Sequence, residues 1–232
     1  MNFDLITFDL DGTLVDTAGE IAEAANRALH DHGFAQRTTA EITLLIGGGT
    51  RQLMNSLLAH CVAAQPALAD SAQPERVMAS FDAHYAVTIG TLAAPYSGCS
   101  EALTALKAAG IRLACVTNKE LHHALAVLRA TKLDGYFELV IGGDSLPEKK
   151  PHASVLQHVA TRLGINLSRA AHVGDSAIDV IAARHAGVAA WAVPYGYNAG
   201  KPIVDADPER IFQSLAAVAE HVLGGSQVQL TN

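Results

Sequence analysis

Four short polar segments of the sequence contain the residue types that acid–base and metal chemistry require. They are Asp9-Leu10-Asp11-Gly12-Thr13-Leu14, Thr117-Asn118-Lys119, Lys149-Lys150-Pro151 and Gly174-Asp175-Ser176 with Asp179. Carboxylates that lie close together repel one another unless a cation lies among them. Hard oxygen ligands indicate Mg²⁺, which binds through one or two carboxylates together with a substrate phosphate. The sequence therefore predicts a magnesium site if these segments meet in the fold.

Asp9 and Asp11 are two residues apart, a spacing that suits two carboxyls acting on one reacting group. Asp9 would attack as the nucleophile, kept ionised by the metal and Lys150. Asp11 would donate a proton to a leaving alcohol and later accept one from water, which requires that the two pKa values differ. Thr117 and Asn118 would offer a hydroxyl and amide N–H groups to phosphate oxygens, and Lys150 would balance the remaining charge.

Short apolar runs alternate with helical patterns, and this order predicts an α/β fold with a parallel sheet covered by helices. The predicted strands are Leu5–Asp9, Ile111–Thr117, Leu139–Ile141, Ala171–Gly174 and Val188–Val193. The predicted helices between them are Ser100–Ala109, Leu121–Ala130, Ser154–Gly164 and Ile178–Ala186. Because ligands of open α/β sheets bind outside the carboxyl ends of the strands, we expect the polar segments to meet there. Gly12 would let the backbone fold back directly after the first strand.

Each polar segment taken alone also has a structural explanation. The Asp9–Thr13 stretch could form a local turn, and Lys150-Pro151 could be an ordinary loop. Ser176 could cap its helix, and Asp179 could be a first-turn acid favoured by the helix dipole. Together, in this order and at strand ends, the segments favour a catalytic site.

A stretch with helical patterns and no convincing strand separates the first predicted strand from the second. Its predicted helices are Ile21–His30, Glu41–Leu45, Gln52–His60 and Pro74–Thr88. We expect residues 16–94 to form an all-helical cap domain inserted in a core domain of residues 1–15 and 95–232. The turn at 94–98 would bring the chain back to the core. The alternative is that these helices belong to one larger layer.

The composition excludes several classes of protein. Of 232 residues, 50% are apolar and 17% are charged, which is typical of a globular chain. The net charge of −7 argues against nucleic acids and anionic membrane surfaces as partners. Neither a membrane-spanning run nor a signal peptide is expected. Cys61, Cys99 and Cys115 contain no CxxC pair and predict free thiols in the cytoplasm. The polar residues after Gly224 predict a frayed end.

On these motifs the sequence resembles the phosphatases of the haloacid dehalogenase superfamily. The similar segments are Asp9–Thr17 for the first motif, Thr117-Asn118 for the second, Lys150-Pro151 for the third, and Gly174–Ser176 with Asp179 for the fourth. The helical insertion resembles the cap that follows the first motif in this superfamily. The resemblance covers nearly the whole chain and implies a Rossmann-like core.

The resemblance also implies a role for each acidic residue. Asp9 would form an aspartyl-phosphate intermediate, and Asp11 would act first as general acid and then as base. Mg²⁺ would be bound by the Asp9 carboxylate, the Asp11 backbone carbonyl and Asp175, with Asp179 supporting it from nearby. Dehalogenases of the superfamily lack an acid at the position of Asp11 and need no metal. Asp11 and Asp175 therefore favour phosphoryl transfer.

Within the superfamily the sequence most resembles the bacterial phosphoglycolate phosphatases, which implies a small phosphorylated metabolite, 2-phosphoglycolate, as substrate. The similar stretches are Ile46–Gly49, Val140–Asp144, Lys149–His152 and Tyr195–Asn198. Sugar-phosphate phosphatases of the same branch, including one for N-acetylmuramic acid 6-phosphate, share much of this pattern. A phosphomutase such as β-phosphoglucomutase usually has Gly-Val where this chain has Gly12-Thr13. A phospho-acceptor signalling module is disfavoured by the long cap and by Asp11.

We expect substrate choice to depend on the cap. The turn at 47–51 would reach down to the site, where its free amides and Arg51 would bind a small carboxylate. The alternative is a plain turn between helices with a surface arginine. The oligomeric state stays open between monomer and homodimer.

Overall fold

The computed structural model describes residues 3–224. Its central element is a parallel sheet. The strands are β1 (Leu5–Phe8), β2 (Val15–Asp16), β3 (Ala94–Pro95), β4 (Arg112–Val116), β5 (Leu139–Ile141), β6 (Ala170–Gly174), β7 (Ala189–Ala192) and β8 (Arg210–Ile211). Six of them form the sheet, in the order β5-β4-β1-β6-β7-β8. The end predicted to fray after Gly224 lies outside the described residues.

Strand β1 lies in the middle of the sheet and pairs in parallel with β4 on one side and β6 on the other. Its four residues are all buried, which is typical of a strand covered by helices on both faces. Because the three strands run in the same direction, the residues that follow them come out at one edge of the sheet. That edge is where the polar segments of the sequence lie.

Helices cover both faces of the sheet, as predicted for an α/β fold. In chain order the helices are α1 (Ala18–Asp31), α2 (Thr39–Thr43), α3 (Thr50–Ala64), α4 (Pro74–Thr88), α5 (Cys99–Ala108), α6 (Leu121–Ala130), α7 (Ser154–Leu163), α8 (Ala177–Ala186) and α9 (Leu215–Gly224). Helices α5, α6 and α9 pack on the face that holds Ile6 and Phe8. Helices α7 and α8 pack on the opposite face, against Leu5. The alternation of side chains along β1 thus supplies both cores.

Helices α1 to α4 form a separate apolar core with α1 and α4 packed side by side. Ala25, Leu57, Phe81 and Tyr85 are among its fully buried side chains. The chain enters and leaves this helical region through β2 and β3, which pair as an antiparallel two-stranded ribbon. The division into a cap of residues 16–94 and a core of residues 1–15 and 95–232 fits this arrangement and stays a prediction.

The five strands predicted from the sequence are confirmed with ends that differ by one residue or less. Strands β2, β3 and β8 have two residues each and are too short to show a period, so the prediction missed them. Helix α9 was missed too. Helix α2 begins before the predicted Glu41 because Thr38 and Glu41 form a capping box that starts it at Thr39.

Candidate active site

Three polar segments converge beyond β1, β4 and β6. Asp9 follows β1 directly, Thr117 follows β4, and Asp175 follows β6. Lys150 comes from the loop after β5, and Asp179 lies in the first turn of α8. All five side chains are buried, so the contacts among them are screened little by water.

Lys150 lies between two carboxylates. Its Nζ is 2.8 Å from Asp9 Oδ1 and 2.7 Å from Asp179 Oδ1, and it donates a further hydrogen bond to the Val116 carbonyl. The contact with Asp9 is an ion pair between two buried groups, so the lysine places its positive charge directly beside Asp9 Oδ1.

Burial raises the pKa of Asp9 to about 6, and the charges of Asp179 and Asp11 add to this, while Lys150 opposes it. For Lys150 itself, burial alone would lower the pKa. The carboxylates of Asp179 and Asp9 outweigh burial and raise its pKa above the usual value. The lysine therefore stays protonated, and it is the group that favours an ionised Asp9 at neutral pH.

Asp175 accepts a hydrogen bond from Thr13 Oγ1 at 2.8 Å and another from the backbone N–H of Tyr197. Burial, followed by the charges of Asp179 and Asp9, raises its pKa well above the usual range. One oxygen each of Asp9, Asp175 and Asp179 lies within 4.8 Å of the others. Three buried carboxylates whose oxygens lie this close together form a donor set that fits a hard divalent cation.

Asp179 has its own partners. Its Oδ1 contacts Lys150 and, at 3.2 Å, His172 Nε2. Its Oδ2 accepts from the Ser176 hydroxyl at 2.6 Å and the Ser176 N–H at 3.1 Å, which completes a capping box at the start of α8. The structural explanation for Ser176 and Asp179 is therefore correct, and it is compatible with a functional one. Asp179 holds Lys150 and lies beside the carboxylates it was predicted to support.

Gly12 lies against the carboxylate cluster. Its φ is +83°, and a Cβ there would lie 2.4 Å from Asp175 Oδ2. No other residue type fits, because the conformation and the space both exclude a side chain. The Asp9–Thr13 turn thus brings its backbone into direct contact with Asp175.

Asp11 is held by a residue to which the sequence analysis gave no role. Lys119 Nζ lies 2.9 Å from both carboxylate oxygens of Asp11, and Thr17 donates a hydrogen bond to Oδ1 at 2.7 Å. Lys119 directly follows Thr117 and Asn118, and this position was the only signal that could have identified it. Only 3% of its side chain is exposed.

Thr117 and Asn118 reach the site in different ways. Thr117 Oγ1 accepts a hydrogen bond from the Lys119 N–H, which leaves its own O–H free to donate. The side-chain amide of Asn118 instead donates to the carbonyls of Gly47 and Lys150, at 3.1 and 2.9 Å. These side-chain N–H groups are therefore engaged within the protein, and the predicted contact of Asn118 amide groups with phosphate stays a prediction. Those N–H groups join the 47–51 turn of the cap to the loop that carries Lys150.

The turn at 47–51 reaches the site, as predicted. Lys149 Nζ donates to the Gly48 carbonyl at 2.6 Å, and Thr50 Oγ1 donates to Glu120 at 2.5 Å. The prediction for Arg51 is wrong in this structure. Its side chain is 59% exposed and pairs with Glu75 at 2.7 Å on the outer surface of the cap. Thr50 and Arg51 are successive helical residues about 100° apart, so Thr50 faces the core and Arg51 faces away from it.

A cavity lies between the turn and the sheet edge, and the centre of a water-sized sphere can occupy about 30 Å³ of it. Asp9, Asp11, Thr117 and Lys119 line its core side. Its cap side is mostly apolar and is formed by Ile21, Ile46, Leu53, Phe81 and Tyr85.

None of the helices in residues 3–224 has the length and apolar composition that a membrane span requires.

Comparisons with known proteins agree with this geometry. A family model described as haloacid dehalogenase-like hydrolase matches residues 6–193. The chain belongs to the haloacid dehalogenase-like hydrolase family. It is thus an enzyme, and the fold predicted from the four motifs is confirmed.

Among individual relatives, the phosphoglycolate phosphatase of Nitrosospira multiformis is 41% identical over 210 residues, which are 90% of this chain and 91% of that protein. The phosphoglycolate phosphatase of Thiobacillus denitrificans is 36% identical over 214 residues, 92% of this chain and 93% of that protein. A crystal structure from Haemophilus somnus, described as a predicted phosphoglycolate phosphatase, superposes with a TM-score of 0.91 at 33% identity. It covers 95% of this chain and 98% of its own. This chain therefore matches these hydrolases over almost their full length.

Proposed function

We propose that this enzyme is a Mg²⁺-dependent phosphatase that hydrolyses 2-phosphoglycolate to glycolate and phosphate through a phosphorylated Asp9. The observation that carries the proposal is the state of Asp9 Oδ1. It is a buried carboxylate oxygen 2.8 Å from the Nζ of Lys150, on a residue that lines the cavity together with Asp11. The names of the relatives support the choice of substrate.

In the first step, an oxygen of Asp9 forms a bond to phosphorus while the bond from phosphorus to the ester oxygen breaks. The leaving oxygen takes a proton from Asp11. In the second step, Asp11 removes a proton from water, the water oxygen attacks phosphorus, and the bond to Asp9 breaks. Splitting the reaction in this way replaces one difficult displacement by two easier ones.

Neighbouring residues orient these groups. Lys150 keeps Asp9 ionised, and the free O–H of Thr117 donates to a phosphoryl oxygen. Asp9, Asp175 and the Asp11 backbone carbonyl would bind Mg²⁺, while Asp179 positions Lys150 next to them. When bound, Mg²⁺ supplies positive charge that offsets both the carboxylates and the phosphoryl oxygens. The cap excludes water through the contacts of its 47–51 turn.

The cysteines Cys61, Cys99 and Cys115 are free and buried, which supports the predicted cytoplasmic location.

The test is phosphate release by metal-stripped protein with Mg²⁺ added back. The substrates are 2-phosphoglycolate, hexose phosphates and N-acetylmuramic acid 6-phosphate, with β-glucose 1-phosphate as a probe for mutase activity. Asp9→Asn is the blank, and Asp134→Asn, an exposed carboxylate, is the matched control. We expect 2-phosphoglycolate to be preferred with kcat/KM above roughly 10⁴ M⁻¹s⁻¹. Preference for a sugar phosphate would keep the mechanism and replace the substrate. Absence of Mg²⁺-dependent release from every ester would contradict the phosphatase proposal.

A further inference from the structure

Lys119 is a buried cation that the mechanism does not use. Its Nζ contacts Asp11 on one side and lies 5.0 Å from the ring centroid of Tyr85 in α4 on the other. Tyr85 belongs to the cap and is itself fully buried. The lysine side chain therefore extends from the core into the part of the cavity that the cap covers.

The charges around the cavity are unequally distributed. Among the described residues that line it, Lys119 is the only cation, and Asp9 and Asp11 are the anions. Lys150 is not among the described residues that line the cavity, and its Nζ is paired with Asp9 and Asp179. Arg51 faces outward. A negatively charged group on the cap side of a substrate would therefore find one cationic partner, the Nζ of Lys119.

We propose that Lys119 determines substrate specificity by binding a second anionic group, a carboxylate, on the leaving-group part of the substrate. This inference rests on the proposed function. A phosphoryl group next to Asp9 directs its ester oxygen toward Asp11, and the remainder of the substrate then continues toward the cap. Lys119 is the next charged side chain in that direction.

Binding of the carboxylate would also change the surroundings of Asp11. Lys119 now engages both oxygens of Asp11, and Thr17 engages only Oδ1. A substrate carboxylate that takes Nζ would leave Asp11 Oδ2 without its partner and accessible to the leaving oxygen. A neutral substrate of the same size would leave the Lys119–Asp11 pair intact. Recognition of the carboxylate is thereby coupled to turnover, and it affects kcat as well as KM.

The test compares two substrates that differ in this group alone, 2-phosphoglycolate and 2-hydroxyethyl phosphate. The variants are Lys119→Met and Lys119→Arg, and Lys107→Met on the exposed face of α5 is the matched control. We expect the native enzyme to prefer 2-phosphoglycolate by about 100-fold in kcat/KM, a typical value for a buried charge pair. Lys119→Met should reduce this preference to below about tenfold, Lys119→Arg should retain part of it, and Lys107→Met should leave it unchanged.

Lys119→Met leaves the carboxylate of Asp11 without its lysine partner, so a second measurement uses variants in which Asp11 is replaced as well. Calorimetry in the absence of Mg²⁺, where no turnover is expected, compares the binding of 2-phosphoglycolate to Asp11→Asn and to Asp11→Asn/Lys119→Met. In the second variant neither charge of the pair is left alone. We expect the second substitution to weaken binding at least tenfold for 2-phosphoglycolate and less than threefold for 2-hydroxyethyl phosphate. Equal losses for both ligands, or a substrate preference that Lys119→Met does not alter, would overturn the role of Lys119 and leave the phosphatase proposal intact. Hydrolysis of neither compound by the native enzyme would instead overturn the proposed substrate, and the inference with it.

Discussion

Lys150 and Asp179 form an ion pair of 2.7 Å in which only 2% and 1% of the two side chains are exposed. Burial would raise the pKa of Asp179, but Lys150 and His172 outweigh it and hold the pKa far below the usual range. The pair fixes Lys150 at a position from which it also reaches Asp9. Asp179 therefore acts on the proposed nucleophile through a second residue.

Replacing Asp179 by Asn tests this arrangement. The substitution leaves the buried Lys150 with one carboxylate in place of two, so we expect the free energy of unfolding to fall by about 3–5 kcal/mol. Urea denaturation measures this change, and we expect kcat to fall at least tenfold under conditions where the variant is folded. Asp134→Asn serves as the exposed control. A stability within about 0.5 kcal/mol of the native protein would show that the pair contributes little.

Gly12 offers a test of the carboxylate cluster with an internal control. Both Gly12 and Gly33 have positive φ, +83° and +79°, but only Gly12 has Asp175 in the way of a Cβ. Each change to Ala should cost about 1–2 kcal/mol of stability for the backbone conformation. Only Gly12→Ala should displace Asp175, and we expect at least tenfold weaker Mg²⁺ binding in a calorimetric titration. Equal metal affinity in the two variants would argue against Asp175 as a ligand.

Glu20 joins the first and last parts of the cap. Its buried carboxylate accepts hydrogen bonds from the N–H of Gly90 at 2.7 Å, the N–H of Ala93 at 3.2 Å and the hydroxyl of Tyr85 at 3.1 Å. Glu20→Gln places an amide N–H₂ near these donors, so we expect a loss of about 1–3 kcal/mol. Hydrogen exchange at the Gly90 amide should accelerate with it. Glu23→Gln on the exposed side of α1 is the control, and equal effects in both variants would contradict this role.

Glu120 predicts a dependence of stability on pH. Burial opposes its ionisation, but the His123 ring and the Thr50 hydroxyl outweigh it and lower its pKa from 4.5 to about 2. Because the folded-state pKa is the lower one, the stabilisation is complete above the unfolded value. It is lost as the pH falls from about 4.5 toward about 2.

The measurement is the difference in free energy of unfolding between the native protein and Glu120→Gln. We expect a difference of about 1–2 kcal/mol at neutral pH that decreases between about pH 5 and about pH 3. A difference that stays constant over this range would show that folding does not lower the pKa of Glu120.

The positions of the candidate site residues were predicted well from the sequence, because strand ends in a parallel sheet determine where the following residues lie. Asp9, Thr117 and Asp175 needed only the strand order to be placed together. The roles assigned to them stay predictions.

Contacts between distant segments could not be predicted in the same way. The sequence pattern offers no rule that pairs Lys119 with Asp11 or the Asn118 amide with the cap turn. The first contact depends on how the loops after β1 and β4 lie against each other, and the second on how the cap packs on the core. Arg51 was assigned to the site by its charge, but the phase of α3 turns it outward. His123 of α6 is buried against Tyr85 at a ring distance of 4.9 Å, a contact that the sequence pattern does not indicate.

The most direct test of the account is to look for the phosphoryl group on Asp9. The native enzyme should carry this group during turnover of 2-phosphoglycolate with Mg²⁺, because transfer to Asp9 precedes attack by water. Asp11 takes part in both steps, so the native enzyme is used and not an Asp11 variant. After a rapid acid quench, mass spectrometry should find one phosphoryl group on the peptide that contains Asp9. None should be found in Asp9→Asn. Phosphate release by the native enzyme without any label at Asp9 in the quenched protein, or full activity in Asp9→Asn, would contradict the mechanism.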